Sequence, residues 1–173
     1  MRFLTFALLV PATLGASLAL HGRDNHCAPL YTNNVTVNTL VNDYAQLIGN
    51  YTPALGQRFL SNSSFTDTSD SINALANLPL GSTTFPSKAA FLANQATQPK
   101  VPLVVKSINA VTCDTVVLRW TQTFGEASLP IAGISILGFV CEGGQWKLQT
   151  LYTEFNSLVY IEDAGGSCTA PSS

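Results

Sequence analysis

Between residues 37 and 48 the apolar positions Val37, Leu40, Val41, Tyr44, Leu47 and Ile48 recur at three- and four-residue steps. That single stripe predicts an amphipathic helix. Asn34 or Thr36 can cap its start, and Gly49-Asn50 can end it. Thr52-Pro53 opens a second, short helix, with threonine at the cap, proline at the first helical position, and Leu55 and Phe59 facing inward. The polar stretch 61–71 surrounds Phe65 and reads as a short strand entering a turn. Ser69 or Asp70 can cap a brief helix carrying Ile72 and Leu75, which ends before Pro79. Ser87 can cap a further helix over 88–96 with Phe91 and Leu92 inward.

After Pro102 the period changes. Runs 103–112, 115–124, 130–140 and 145–156 are rich in Val, Ile, Thr and aromatics and are joined by short links. Short links predict an antiparallel meander. In the second run Val116, Leu118, Trp120 and Phe124 share one face and Arg119 takes the other. The fourth run starts with Trp146 and Leu148 on one parity and finishes with Leu151 and Phe155 on the opposite one, which predicts a bulge or sharp bend. The expected class is therefore α+β, N-terminal helices packed on a bent antiparallel sheet.

Composition adds a compartment. Met1-Arg2, the apolar run from Phe3 to Val10, the breakers Pro11 and Gly15, and small residues Ser17 and Ala19 have the layout of a secretory signal peptide cut after Ala19. The run is too short to span a bilayer, and no other stretch approaches that length. The expected division is a signal peptide at 1–19, an extension at 20–33, one α+β domain at 34–160 and a loose tail at 161–173. Only 10% of the 173 residues are charged, and eight Lys+Arg face ten Asp+Glu. No basic arm or stripe exists to meet nucleic-acid phosphates. A soluble, secreted chain is expected, with neither nucleic acid nor membrane as partner.

Cys27, Cys113, Cys141 and Cys168 are even in number and none lies in a CxxC pair. Two disulfides are expected, with no metal site and no cofactor. Three pairings are possible. In a meander the ends of the first and third strands share an edge of the sheet, which favours Cys113–Cys141 and leaves Cys27 for Cys168. Sequons at Asn34, Asn50 and Asn62 predict glycosylation at turns and helix ends.

The order of elements, together with the strings Asp43-Tyr44, Phe65 to Asn73, Leu118-Arg119-Trp120, Ile131 to Ser135 and Tyr152 to Ser157, resembles the nuclear-transport-factor-2-like cone fold. Within it, the chain is similar to a group of secreted fungal proteins. The resemblance covers roughly 27–163 and implies a mostly apolar cavity between helices and sheet. Relatives use that cavity for ligands, catalysis or dimer contacts, and enzymes among them work with acidic, tyrosine or histidine side chains. Fold alone does not fix which. Both histidines outside the signal peptide, His21 and His26, precede the first helix. No catalytic set transfers residue by residue.

The candidate pocket residues are Tyr44, Phe65, Trp120 and Tyr152. Candidate acid–base groups are Asp67, Asp70 and Glu154, where a buried carboxylate would abstract a proton while Tyr44 or Tyr152 polarises a carbonyl. Three of these have a plainer role: Asp70 as a helix cap, Asp67 as a turn residue bonding its own backbone, Tyr44 as core. The weight falls on binding without catalysis, of a small apolar molecule or of a protein. The alternatives are a cofactor-independent isomerase, cyclase or dehydratase of a secondary metabolite, and an effector-like interaction protein. The apolar run 131–140 is long for a strand with a solvated face, and suits a cavity wall or a homodimer interface.

Overall fold

The computed structural model describes residues 26–123, 125 and 127–168. The expected signal peptide, the start of the extension and the end of the tail lie outside them. No described helix is long and apolar enough to cross a membrane.

Helix α1 (Asn34–Gly49) buries the stripe read from the sequence, but its cap is Asn33, whose side chain accepts from the Thr36 amide. The sequence reading placed the cap at Asn34 or Thr36; the preceding asparagine holds the extended backbone that a cap requires. Helix α2 (Pro53–Phe59) starts as expected on Thr52 and Pro53. Strand β1 (Thr66–Thr68) leads into α3 (Asp70–Leu75), capped by Ser69, and α4 (Lys88–Gln95) starts on Ser87.

The four late runs are β2 (Val104–Val111), β3 (Thr115–Gln122), β4 (Ile131–Glu142) and β5 (Gln145–Phe155). They form the expected antiparallel meander. The sheet as a whole is mixed, because β1 adds to the far edge parallel to β5, in the order β1-β5-β4-β3-β2. The register slips where Gly138 pairs with Thr150 and Phe139 with Leu148, leaving Gln149 unpaired in the ladder. This bulge is the physical form of the phase change in the fourth run.

Helices cover one face of the sheet. Val37, Leu40, Tyr44 and Leu47 of α1 meet Leu118 and Trp120 of β3, Leu137 and Phe139 of β4, and Leu148 and Leu151 of β5 in one core. Trp120 lies across β4 at Gly133, where an added Cβ would fall 2.2 Å from the indole ring. Gly133→Ala is therefore expected to displace the ring and cost about 1–3 kcal/mol, typical of overpacking. A lower urea midpoint with unchanged slope will show it.

A fifth helix, α5 (Ser157–Asp163), was absent from the sequence reading and runs across the expected domain end at residue 160. Asn156 caps it by accepting from the Val159 amide. The buried Asp163 carboxylate accepts from the amides of Gly125 and Leu129, both at 2.7 Å, and ties α5 to the β3–β4 connection.

The disulfide pairing corrects the expectation. Cys27 joins Cys141, while Cys113 and Cys168 carry thiols. The cause lies in residues 27–32, which run beside the β2–β3 turn, where Leu30 and Tyr31 donate to the carbonyls of Cys113 and Thr112. The Asp114 carbonyl in that turn also takes the amide of Phe139, so the end of β4 lies alongside. The N-terminal segment thereby brings Cys27 to Cys141. Cys168, beyond α5, packs with its thiol near the Leu158 carbonyl.

Candidate functional site

A cavity of about 500 Å³, open to one side, lies between α1, α3, α4, α5 and the covered face of the sheet. Ile72, Phe85, Phe91, Ile131, Leu151 and Phe155 supply much of its apolar wall. The volume suits a small organic ligand. Asn94, Gln95, Gln98 and Gln122 line it with neutral carboxamides, and Asp67 is the charged residue among the lining groups described.

Asp67 sits at the centre of β1, between Thr66 and Thr68, paired with Leu151 of β5. Its backbone is fully engaged. The amide donates to the Phe85 carbonyl, and its own carbonyl accepts from Thr84 and Phe85. The sequence reading of a turn residue bonding its own backbone is thus replaced by a strand residue whose side chain is driven inward. That side chain is 2% exposed, and Oδ1 has no hydrogen-bond partner among the described residues. Burial pushes the carboxyl up to about 7, partly offset by the Thr68 amide, with the negative charge of Glu154 adding to the rise.

Three hydroxyls and an indole form a buried network on the same face. Ser135 Oγ accepts from Trp120 Nε1 at 2.9 Å and lies 2.7 Å from the Tyr44 hydroxyl and 3.0 Å from Thr153 Oγ1. The indole can only donate, so it occupies one Ser135 lone pair. Of the other two hydroxyls, one donates to Ser135 and the other accepts its proton. The acceptor keeps its own proton for another partner. Tyr44 and Thr153, the two in question, both line the cavity. Burial raises the Tyr44 phenol to about 12, the hydroxyls of Ser135 and Thr153 lowering it partly and the charge of Asp67 adding slightly. Tyr44 therefore acts as a neutral hydroxyl at any ordinary pH.

Of the residues singled out in the sequence, Tyr44, Trp120 and Asp67 line the cavity. Phe65 is buried behind it, packed edge-on against Phe91 with ring centroids 5.1 Å apart. Tyr152 was expected in the pocket and is instead half exposed on the uncovered face, because Leu151 and Thr153 on either side take the inward parity. Asp70 and Glu154 stand outside the cavity lining. Asp70 Oδ1 accepts from the Gly81 amide at 2.6 Å. Glu154 accepts from the amides of Asp70 and Ser71 and from the Ser71 hydroxyl, holding the start of α3. Arg119 is exposed on the uncovered face, as its parity required. Asp43 forms a two-pronged pair with Arg58 of α2, both contacts at 2.9 Å. The sequence reading missed Ser135 and Thr153. Their signal was present: each is a polar residue at an inward-facing position of an apolar strand.

Comparison with known proteins agrees with this fold. The family model of the NTF2-like domain, the short form of the fold name used above, matches residues 31–167. No curated protein matches the chain in sequence. Among solved structures, IdmH of Streptomyces antibioticus, a candidate polyketide cyclase, superposes with a TM-score of 0.53 at 12% identity, covering 74% of this chain and 97% of that one. A SnoaL-like protein of unknown function from Burkholderia thailandensis gives 0.55 at 9% identity, over 74% and 98%. A candidate polyketide cyclase from Bacillus cereus gives 0.55 at 14%, over 75% and 80%. At such identities the likeness concerns the fold. The family match spans most of the sequence and agrees with the cone, so the chain belongs to the NTF2-like domain family.

Proposed function

We propose that the cavity takes up a small, uncharged, mostly apolar molecule bearing a carbonyl, and that Asp67 exchanges a proton with it. The observation that carries this reading is a carboxyl at the cavity wall, 2% exposed, with one oxygen unpartnered and its affinity for protons raised to about 7. Such a group is poised as a general base or acid near neutral pH. The ionised carboxylate would take a proton from the carbon next to the carbonyl. The C–H electron pair becomes the enolate double bond, and charge moves to the carbonyl oxygen. Whichever of Tyr44 and Thr153 retains its free proton would donate to that oxygen. Returning the proton to a different carbon is isomerisation. Expulsion of a hydroxyl from the next carbon is dehydration, and attack of the enolate on a second carbonyl is cyclisation. Two of the similar structures carry the description of candidate polyketide cyclase, which fits this class.

A probe with the required chemistry is 2-tetralone, a neutral bicyclic ketone. Deuterium uptake at its α-carbon in D2O, followed by NMR, is expected to be accelerated by the protein, with a rate rising through pH 7. Asp67→Asn is expected to lower that acceleration at least a hundredfold, while quenching of Trp120 emission shows binding retained. Equal exchange rates with both proteins would remove the catalytic role and leave a carrier. The carrier reading has its own support: the wall of the cavity is mostly apolar, and the one free hydroxyl proton of the Tyr44–Ser135–Thr153 network can hold a carbonyl without any proton transfer.

We also infer export and glycosylation. Asn34, Asn50 and Asn62 are all exposed, and a disulfide suits an oxidising compartment. The leader-like N-terminus supports the same placement. Mass mapping of protein recovered from the growth medium tests it. Sugar on none of the three asparagines, or a retained residue 1–19 segment, would refute it.

A further inference from the structure

One end of the cavity carries hydrogen-bond acceptors of fixed orientation. Helix α1 ends at Gly49, and the carbonyls of its last turn have no partner within the helix. Gln95 of α4 serves one of them: its Nε2 donates to the Leu47 carbonyl at 3.0 Å. Gln122, the last residue of β3, donates in the same way from Nε2 to the Val101 carbonyl at 2.8 Å. A backbone carbonyl can only accept, so in both side chains the nitrogen is turned to the backbone and the oxygen away from it. Neither oxygen accepts from any described residue, and each keeps two lone pairs against a single remaining N–H. The two anchors belong to touching segments, since a Cβ added at Gly49 would fall 2.7 Å from the Val101 carbonyl oxygen. Both glutamines therefore mark the same end of the cavity. Gln95 is 7% exposed and also borders a smaller recess of about 220 Å³ beside Tyr51 and Lys100. The hydroxyls of Tyr44 and Thr153 stand apart from this end. Tyr44 precedes Leu47 by almost one turn of α1, about 5 Å along its axis. Thr153 and Ser135 are level with Leu118 in the ladder, four residues or about 13 Å before Gln122. Trp120 lines the wall between Leu118 and Gln122.

Resting on the reading that the cavity takes a neutral carbonyl compound, we infer that this compound carries a hydroxyl at its far end, whose proton the amide oxygens of Gln95 and Gln122 accept. The class is a hydroxylated cyclic ketone. Its carbonyl is held at the Tyr44–Thr153 end and its hydroxyl at the glutamine end. An ammonium group would also donate, but its charge would go uncompensated. Among the described residues no carboxylate lines the glutamine end, and Lys100 beside the recess adds a like charge. A phenolate or carboxylate would set negative charge against two amide oxygens. An ether or a bare hydrocarbon displaces water from those oxygens and returns no donor, which is what makes such a site selective.

Affinities of 6-hydroxy-2-tetralone, 6-methoxy-2-tetralone and 2-tetralone, compared through quenching of Trp120 emission, test this, with α-deuterium exchange followed separately by NMR. The hydroxy ketone is expected to bind at least tenfold tighter than the methoxy ketone, which keeps the oxygen and loses the proton. Gln95→Met and Gln122→Met remove the acceptor at similar side-chain length, and each is expected to reduce that ratio at least threefold. Gln95→Met also bares the Leu47 carbonyl, so the comparison of ketones on the unmodified chain is decisive without any variant. Equal affinity for the hydroxy and methoxy ketones overturns the inference, and so does a preference that both variants keep. The base chemistry is judged apart from it. Exchange of 2-tetralone without a hydroxyl preference leaves Asp67 as the base and removes the hydroxyl site. A preference with no exchange of any ketone keeps the hydroxyl site and makes the protein a carrier. Binding of none of the three overturns both readings.

Discussion

Asp67→Asn is expected to flatten the dependence of folding stability on pH between about 4 and 7. In the folded protein the carboxyl holds its proton up to about 7, against an ordinary value of 3.8 once unfolded. Between those limits the native state binds more protons than the unfolded state, so stability falls as pH rises. The loss is complete above about 7. A rise from 3.8 to about 7 corresponds to on the order of 4 kcal/mol. No solvent discount applies to a side chain this deeply buried. Below pH 4 both states are protonated and the penalty vanishes. Asparagine carries no charge and removes the slope, although its amide still wants partners, so the net gain at pH 8 will be smaller than the full figure. Urea denaturation at pH 4, 5.5, 7 and 8 on both proteins measures this directly. Parallel curves would mean that Asp67 ionises like a surface carboxylate, and the proposed base chemistry would fall with it.

Loss of the disulfide is expected to produce an effect of similar size by a different route. Cys27 and Cys141 close a loop with a sequence separation of 114. Chain entropy puts the upper limit of such a link at about 5 kcal/mol, and native bridges removed from small domains typically cost about 2–5 kcal/mol. Cys27→Ser and Cys141→Ser should therefore lower the urea midpoint equally, and the double variant should fall no further than either single one. Cys168→Ser should leave the midpoint in place. Non-reducing peptide mapping will identify a Cys27–Cys141 linked pair. A linked Cys27–Cys168 pair, or a double variant markedly weaker than the singles, would contradict the pairing.

The cavity and its contents were unequally legible. Tyr44 could be read as an inward residue because it completes the α1 stripe, and Trp120 because it alternates with Leu118. Asp67 was visible as a candidate, yet nothing local separated it from Asp70 three residues on. One is buried and the other holds the Gly81 amide because the short strand β1 docks parallel to β5, a pairing that spans more than eighty residues. Tyr152 was misplaced for a related reason. The bulge at Gln149 resets the parity of β5, and only counting outward from Leu151 puts Tyr152 on the open face. Helix α5 begins on an asparagine cap like α1, but seven residues give too little periodicity to distinguish it from a loop.

By itself, the sequence determined the class of the fold, the stripe of α1, the caps at Thr52 and Ser87, the four meander strands and the slip in the last of them. These follow from interactions within a few residues, where period, capping and turn chemistry act. Tertiary structure alone decided that Cys27 meets Cys141, that β1 carries Asp67 to the cavity wall, and that Ser135 joins Tyr44, Trp120 and Thr153. Each of these depends on which distant segments share a boundary, and on how far water is excluded from the groups brought there. Local pattern contains neither quantity.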